Sequence, residues 1–144
     1  LYFDGSDVDL TTPQEAIRAL TVLADGRIII STRGPVKVGS LNANSRDLIA
    51  FTPTNLGEAT SGSWELFFDG SEVGLLSASR DSIEGVHLDE ETGSLYLITR
   101  KADGRVYVCT PEIPGGFAEC EFTIFWDSAS NGLMNYALDA VAIR

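Results

Sequence analysis

One histidine, two cysteines and one methionine serve a chain of 144 residues, and its 10 Lys and Arg are outnumbered by 21 Asp and Glu. A single histidine rules out a metal centre built on several imidazoles. The formal charge of −11 repels phosphate backbones and anionic bilayers, so nucleic acid is not expected as a partner. No apolar run approaches the roughly 18 residues that cross a bilayer as a helix, and direct membrane insertion is not expected. The chain has no Gly-x-Ser-x-Gly elbow, and none of its 14 glycines stands in a phosphate-cradling loop. Helical periodicity is missing too. Gln14–Leu20 comes nearest to it, and its counterpart Asp81–His87 is interrupted by Gly85.

What the sequence has is repetition. Leu1-Tyr2-Phe3-Asp4-Gly5-Ser6-Asp7-Val8 returns as Leu66-Phe67-Phe68-Asp69-Gly70-Ser71-Glu72-Val73, and a worn copy follows at Ile124-Phe125-Trp126-Asp127-Ser128. Ala24-Asp25-Gly26-Arg27-Ile28-Ile29-Ile30-Ser31-Thr32-Arg33 matches Glu91-Thr92-Gly93-Ser94-Leu95-Tyr96-Leu97-Ile98-Thr99-Arg100, and Phe51-Thr52-Pro53 matches Cys109-Thr110-Pro111. Repeats longer than a hairpin mark an architecture of stacked supersecondary units. With 44% hydrophobic and 22% charged residues, the chain has the composition of a folded domain.

Runs of β-branched and aromatic residues between Gly, Pro and Asp turns predict an all-β domain of about ten antiparallel strands. They fall at residues 1–4, 16–23, 27–32, 48–52, 64–69, 83–88, 94–99, 106–109, 121–126 and 138–143. The Asp25-Gly26 step predicts a hairpin, and the Gly-, Ser- and Asn-rich stretch 34–46 reads as a long loop, cut to 101–104 in the second copy. Residues 1–144 form one domain: repeat 1 covers about 1–63, repeat 2 about 64–121, and a partial repeat 3 about 122–144. Four antiparallel strands per unit is the pattern of a β-propeller blade, with a closed β-barrel or a β-sandwich as the alternative. Two blades with a spare strand at each end cannot close a ring of at least about four. The chain is then a piece of a longer array, or several chains complete one another, or the ten strands close as a barrel or sandwich. For association between chains, the orphan ends, Leu1, Tyr2 and Phe3 with Val141 and Ile143, are the expected assembly edge.

The chain is similar to a tandem-repeat family of secreted or surface-attached bacterial proteins. That family carries an FDGSDVGL-like segment, a D-[IV]-[DE]-[AG]-[LF] segment, a DGRLLLSTRG segment and an FTPTSLG-like turn. The resemblance spans nearly all of residues 1–143, in two full copies and a partial third. It implies export and propeller-like blades, without implying an activity. The chain departs from the pattern at Arg18, where an acidic residue is usual, while Glu84 and Asp139 keep it.

Asp4, Asp7, Asp9, Asp69, Asp81, Glu84 and Asp139 lie in or beside repeated turns. Ca²⁺, which takes roughly 6–8 oxygens, is the cofactor such a set would hold. Turn chemistry competes, because Asp bonds nearby backbone and Gly accepts positive φ. His87 lies mid-strand with Asp89 two residues on, but no nucleophile motif accompanies it. The triplet Asp89-Glu90-Glu91, which could suggest glycosidase carboxylates, falls in a predicted turn. The recurring aromatics Trp64, Phe67, Phe68, Phe122, Phe125 and Trp126 read as core between units, with Trp64 or Trp126 as candidates for stacking on a glycan. Cys109 and Cys120 flank the turn 110–119 and are expected to pair as a disulfide, the alternative being two buried thiols. The pairing would place the protein outside reducing compartments, secreted or at a cell surface. A chain opening at Leu1 without Met is expected to be a processed product.

These features predict a non-enzymatic exported structural or adhesive repeat protein that self-associates through edge strands into a ring, filament or surface array. An extracellular module binding a ligand, glycan or Ca²⁺ is the alternative, and a hydrolase on a propeller scaffold ranks third.

Overall fold

A computed structural model describes residues 1–75, 77, 80–101, 104–113, 115–133 and 137–143. Ten strands run in chain order: β1 (Ile17–Val22), β2 (Ile28–Thr32), β3 (Val36–Val38), β4 (Leu41–Ala43), β5 (Leu48–Asn55), β6 (Ser61–Phe68), β7 (Ile83–Asp89), β8 (Ser94–Thr99), β9 (Arg105–Cys109) and β10 (Thr123–Asp127). They form two four-stranded antiparallel meanders, β1-β2-β5-β6 and β7-β8-β9-β10, and a small hairpin, β3-β4. Neither meander closes into a barrel.

The sequence repeat is a repeat of register. Ile17 faces Thr32 and Ala19 faces Ser31, with Arg18 bulged between them. Ile83 faces Thr99 and Gly85 faces Ile98, with a bulge at Glu84. The tight turns that follow each place a glycine at positive φ, Gly26 at 87° and Gly93 at 73°. Further along, Ile28 opposite Phe51 corresponds to Leu95 opposite Cys109. An extra residue in the same place shifts both strands' side chains to the other face, so Ile17 sides with Leu20 and Val22 rather than with Ala19.

Two cores follow from this alternation. One lies between the meanders, where Ala19, Ile29, Leu48, Ala50 and Phe68 of the first pack on Ile83, Val86, Leu95, Leu97 and Cys109 of the second. β1 runs beside β7 at this seam. The other core lies on the far side of the first meander, where Ile28, Ile30, Ile49 and Phe51 meet Val8, Val36, Val38 and Ala43. Ile28, Ile29, Ile30 and Phe51 have no exposed surface, and side chains of this size each gain about 1.5–3 kcal/mol on full burial.

Two of the ten expected strands are replaced. Residues 1–4 form no strand, because Phe3 leaves the sheet plane to pack its ring edge-on against Phe51 at 5.3 Å and Trp64 at 6.4 Å. Phe68 packs on Phe122 in the same edge-on way, at 5.9 Å. The N-terminal segment thus covers the first meander as the end of β6 covers the second. Residues 137–143 form no strand either, having no hydrogen-bonded strand beside them among the described residues. The stretch expected as a long loop holds β3 and β4, whose alternating burial turns Val36, Val38 and Ala43 inward.

Candidate functional site

The acidic residues expected to hold Ca²⁺ divide among separate turns, and their partners are main-chain amides, hydroxyls and cations. Asp4 accepts from the Ser6 amide at 3.0 Å and the Ser6 hydroxyl at 2.6 Å, and Asp69 accepts from the same two groups of Ser71 at 2.9 and 2.5 Å. Each turn is closed by a further main-chain bond, Leu10 to the Gly5 carbonyl and Leu75 to the Gly70 carbonyl. A third copy closes with Leu133 on the Ser128 carbonyl, and there Asp127 accepts from Arg105 at 2.7 Å and from the Ser130 amide. The serine hydroxyls hold the Asp4 and Asp69 carboxyls below their ordinary value, and Arg105 does so for Asp127.

The other expected ligands stand in different settings. Asp7 accepts from the Thr60 amide at 2.9 Å, tying the first turn to the loop before β6. Asp9 is exposed and left-handed at φ 70°, ending the turn, and Asp139 is exposed. Asp81 is buried, accepts from the Ser77 amide at 2.8 Å and pairs with Lys101 at 3.1 Å. Glu15 holds the corresponding place in the first repeat, accepting from the amides of Thr11 and Thr12, with Thr12 as the main cause of its lowered pKa. Glu84 bridges the repeats, meeting Arg18 at 3.2 Å and Arg100 at 4.0 Å. Arg18, the departure from the repeat pattern, is therefore the partner of the acidic residue that keeps it. Among the described residues no three His, Cys, Asp or Glu side chains gather as a metal site.

His87 is half-buried, with its ring 6.0 Å from that of Tyr96. Asp89 serves its own hairpin, accepting from the Thr92 hydroxyl at 2.6 Å, the main reason its carboxyl is held below the ordinary value. Cys109 and Cys120 form a disulfide with their Cα atoms 5.9 Å apart. It ties β9 to a short turn that drops Phe117 between Phe67 and Phe68 of the first meander. Trp64 sits half-buried beside Phe51 and donates from its indole nitrogen to the Val8 carbonyl at 3.1 Å, while Trp126 is half-buried on β10. Trp64 therefore stands within the packed interior of the first meander. The disulfide fits an oxidising compartment, and no helix among the described residues is long and apolar enough to cross a membrane.

No family model, curated protein or solved structure matches this chain.

The expected assembly edge divides between packed and exposed residues. Leu1 and Tyr2 are exposed, Phe3 is packed, and Val141 and Ile143 are half-buried. Ala140 lies against β7, where a Cβ built on Gly85 would stand 3.3 Å from its Cα. Sequence reasoning missed a second set of apolar residues. Ile17, Leu20 and Val22 on β1 are 38%, 48% and 45% exposed, whereas their counterparts on β7 are buried (Ile83, Val86) or half-buried (Leu88) beneath the first meander. At the opposite end, Phe125 is 50% exposed, while its counterpart Phe67 packs into the inter-sheet core. Aligning the two bulges would have found both sets, since the bulge decides which face each residue occupies.

Proposed function

We propose that this chain is a non-enzymatic, exported structural repeat protein whose blade-like units associate head to tail with further copies of themselves. The observation that carries the reading is the unequal fate of equivalent positions. Ile83, Val86 and Leu88 are covered by the first meander, and Ile17, Leu20 and Val22 present the same apolar pattern exposed at the surface. The other end mirrors this: Tyr96, Val108 and Phe125 occupy the places of Ile29, Ala50 and Phe67, which make the internal seam. The two ends of a copy therefore carry the two halves of a contact that the chain already makes once within itself. Ala140 of the segment 137–143 lies against β7, and Leu1 and Tyr2 lie by Gly57 in the turn between β5 and β6. A contact between unlike faces is heterologous, giving a ring if its rotation closes and a filament or surface array if it does not.

Light scattering on the purified chain tests the reading. The native chain is expected to show a mass above that of one chain, rising with concentration, and Leu20→Glu and Phe125→Ser should each return it to a monomer. Mixing the two variants should give a dimer and nothing larger, because each keeps one intact face and the two intact faces are complementary. A native chain that stays monomeric up to about 1 mM, the weak end of useful affinity, overturns it.

A further inference from the structure

Independently of assembly, we infer that the second repeat holds a binding site for a small neutral aromatic molecule bearing one hydroxyl or carbonyl group. A cavity of about 180 Å³ lies between the turn after β6 and the β8-β9 sheet, lined by Val73, Leu75, Leu97, Thr99, Tyr107 and Phe122. The first repeat has the same walls, in order Val8, Leu10, Ile30, Thr32, Ile49 and Trp64. There the space is filled, because β3 and β4 press Val36, Val38, Leu41 and Ala43 into one cluster with them. The second repeat has four residues, 101–104, where the first has thirteen, 34–46, fewer than the eight that the β3-β4 hairpin takes. The cavity is what the shortened loop leaves behind.

Among its described lining residues one polar group is buried, and it distinguishes the cavity from a packing defect. Thr32 donates its hydroxyl to the Gly34 carbonyl at 2.7 Å, at the root of the hairpin. Thr99 is 6% exposed and its hydroxyl has no hydrogen-bond partner. A buried polar group without a partner is costly, and a ligand that supplies one recovers that cost. Apart from Thr99, the described walls are aliphatic or aromatic except for Lys101, whose ammonium is engaged by Asp81 at 3.1 Å. A neutral ligand fits these walls better than an anion. A cavity of about 150 Å³ with such walls accepts a benzene ring, which sets the ligand's size. The occupant is one ring, with its polar atom toward Thr99.

The test uses 4-methylphenol and toluene as probes, titrated into the isotopically labelled full chain and read by amide and methyl NMR shifts. Saturable shifts are expected at Val73, Leu75, Leu97 and Thr99, without matching shifts at Val8, Leu10 and Ile30. Thr99→Val should weaken 4-methylphenol about three- to tenfold, the share of one hydrogen bond, and leave toluene unchanged. Val73→Phe should abolish both. Should that variant fail to fold, crystals of the unmodified chain soaked in 4-bromophenol give the second reading, with bromine expected between Leu97 and Phe122. Shifts that do not saturate, shifts spread over both repeats, a Thr99→Val variant with unchanged 4-methylphenol affinity, or bromine found elsewhere would each overturn the proposal.

Discussion

Ser31 on β2 joins the first meander to β7, the edge strand of the second, and its removal gives the sharpest test of the fold. Its hydroxyl accepts from the Ala19 amide at 3.1 Å, where the β1 bulge breaks the ladder, and donates to the Ile83 carbonyl of β7 at 2.7 Å. The residue is 1% exposed, so neither partner has water to turn to. Ser31→Ala leaves one donor and one acceptor buried without partners, at about 1–3 kcal/mol each. Allowing for partial relaxation of the gap, the loss should be about 2–4 kcal/mol. For a domain of this size that lowers the melting temperature by about 5–15 °C. Urea unfolding followed by tryptophan fluorescence and circular dichroism would measure it, with Trp64 reporting from the first meander and Trp126 from the second. Ser40→Ala, at an exposed turn, should stay within about 0.5 kcal/mol and serves as the control. A Ser31→Ala variant that also stays within about 0.5 kcal/mol would refute the seam as described.

Four further outcomes can be measured in the same way. Replacing both cysteines by alanine opens a loop whose ends are 11 residues apart, which on the chain-entropy model costs about 2–3 kcal/mol, read as a lower urea midpoint. Thr32→Val should destabilise by about 1 kcal/mol through loss of its bond to Gly34, whereas Thr99→Val should be neutral or stabilising in the absence of ligand, because no bond is lost. Asp69→Ala removes both bonds to Ser71 and should cost about 1 kcal/mol without changing metal content by elemental analysis. Asp4, Asp69, Asp89 and Glu15 all have folded pKa values below the ordinary 3.8 for Asp and 4.5 for Glu, so their stabilisation is complete above those values and lost as the pH falls through the folded ones. A melting temperature flat between pH 5 and 7 and falling below about pH 4 is expected, and one that rises on acidification would contradict the sign.

The all-β class and the disulfide were legible because their signals are local. The Asp25-Gly26 and Thr92-Gly93 turns, the β-branched run at Ile28–Ile30 and the short interval between Cys109 and Cys120 each act within a few residues. The hairpin in 34–46 was harder to see. Its alternation, Val36-Lys37-Val38 and Leu41-Asn42-Ala43, is present in the sequence, but two strands of three residues are too short to stand out from a Gly- and Ser-rich stretch. The segment 1–4 misled for a different reason. It copies the end of β6 in sequence, yet the copied function is to place Phe3 over a neighbouring sheet, and that needs no strand.

The ends of the repeat follow from a counting argument. Two stacked units share one seam, so within residues 1–144 each repeat-encoded face appears twice and meets its counterpart once. Solenoid and array proteins meet this by giving terminal units a polar outer face. Here part of the first unit is covered by residues 1–10 and by β3-β4, which bury Ile28, Ile30 and Phe51. The cover stops short of β1, where Ile17, Leu20 and Val22 remain at the surface of a chain carrying 21 acidic residues. A solubilising cap would have placed charge on these three positions, since the neighbouring Arg18 shows that β1 accepts it. Their apolar character is what the proposed match with another copy would require, and this is why these exposed faces, rather than the acidic turns, carry the proposed function.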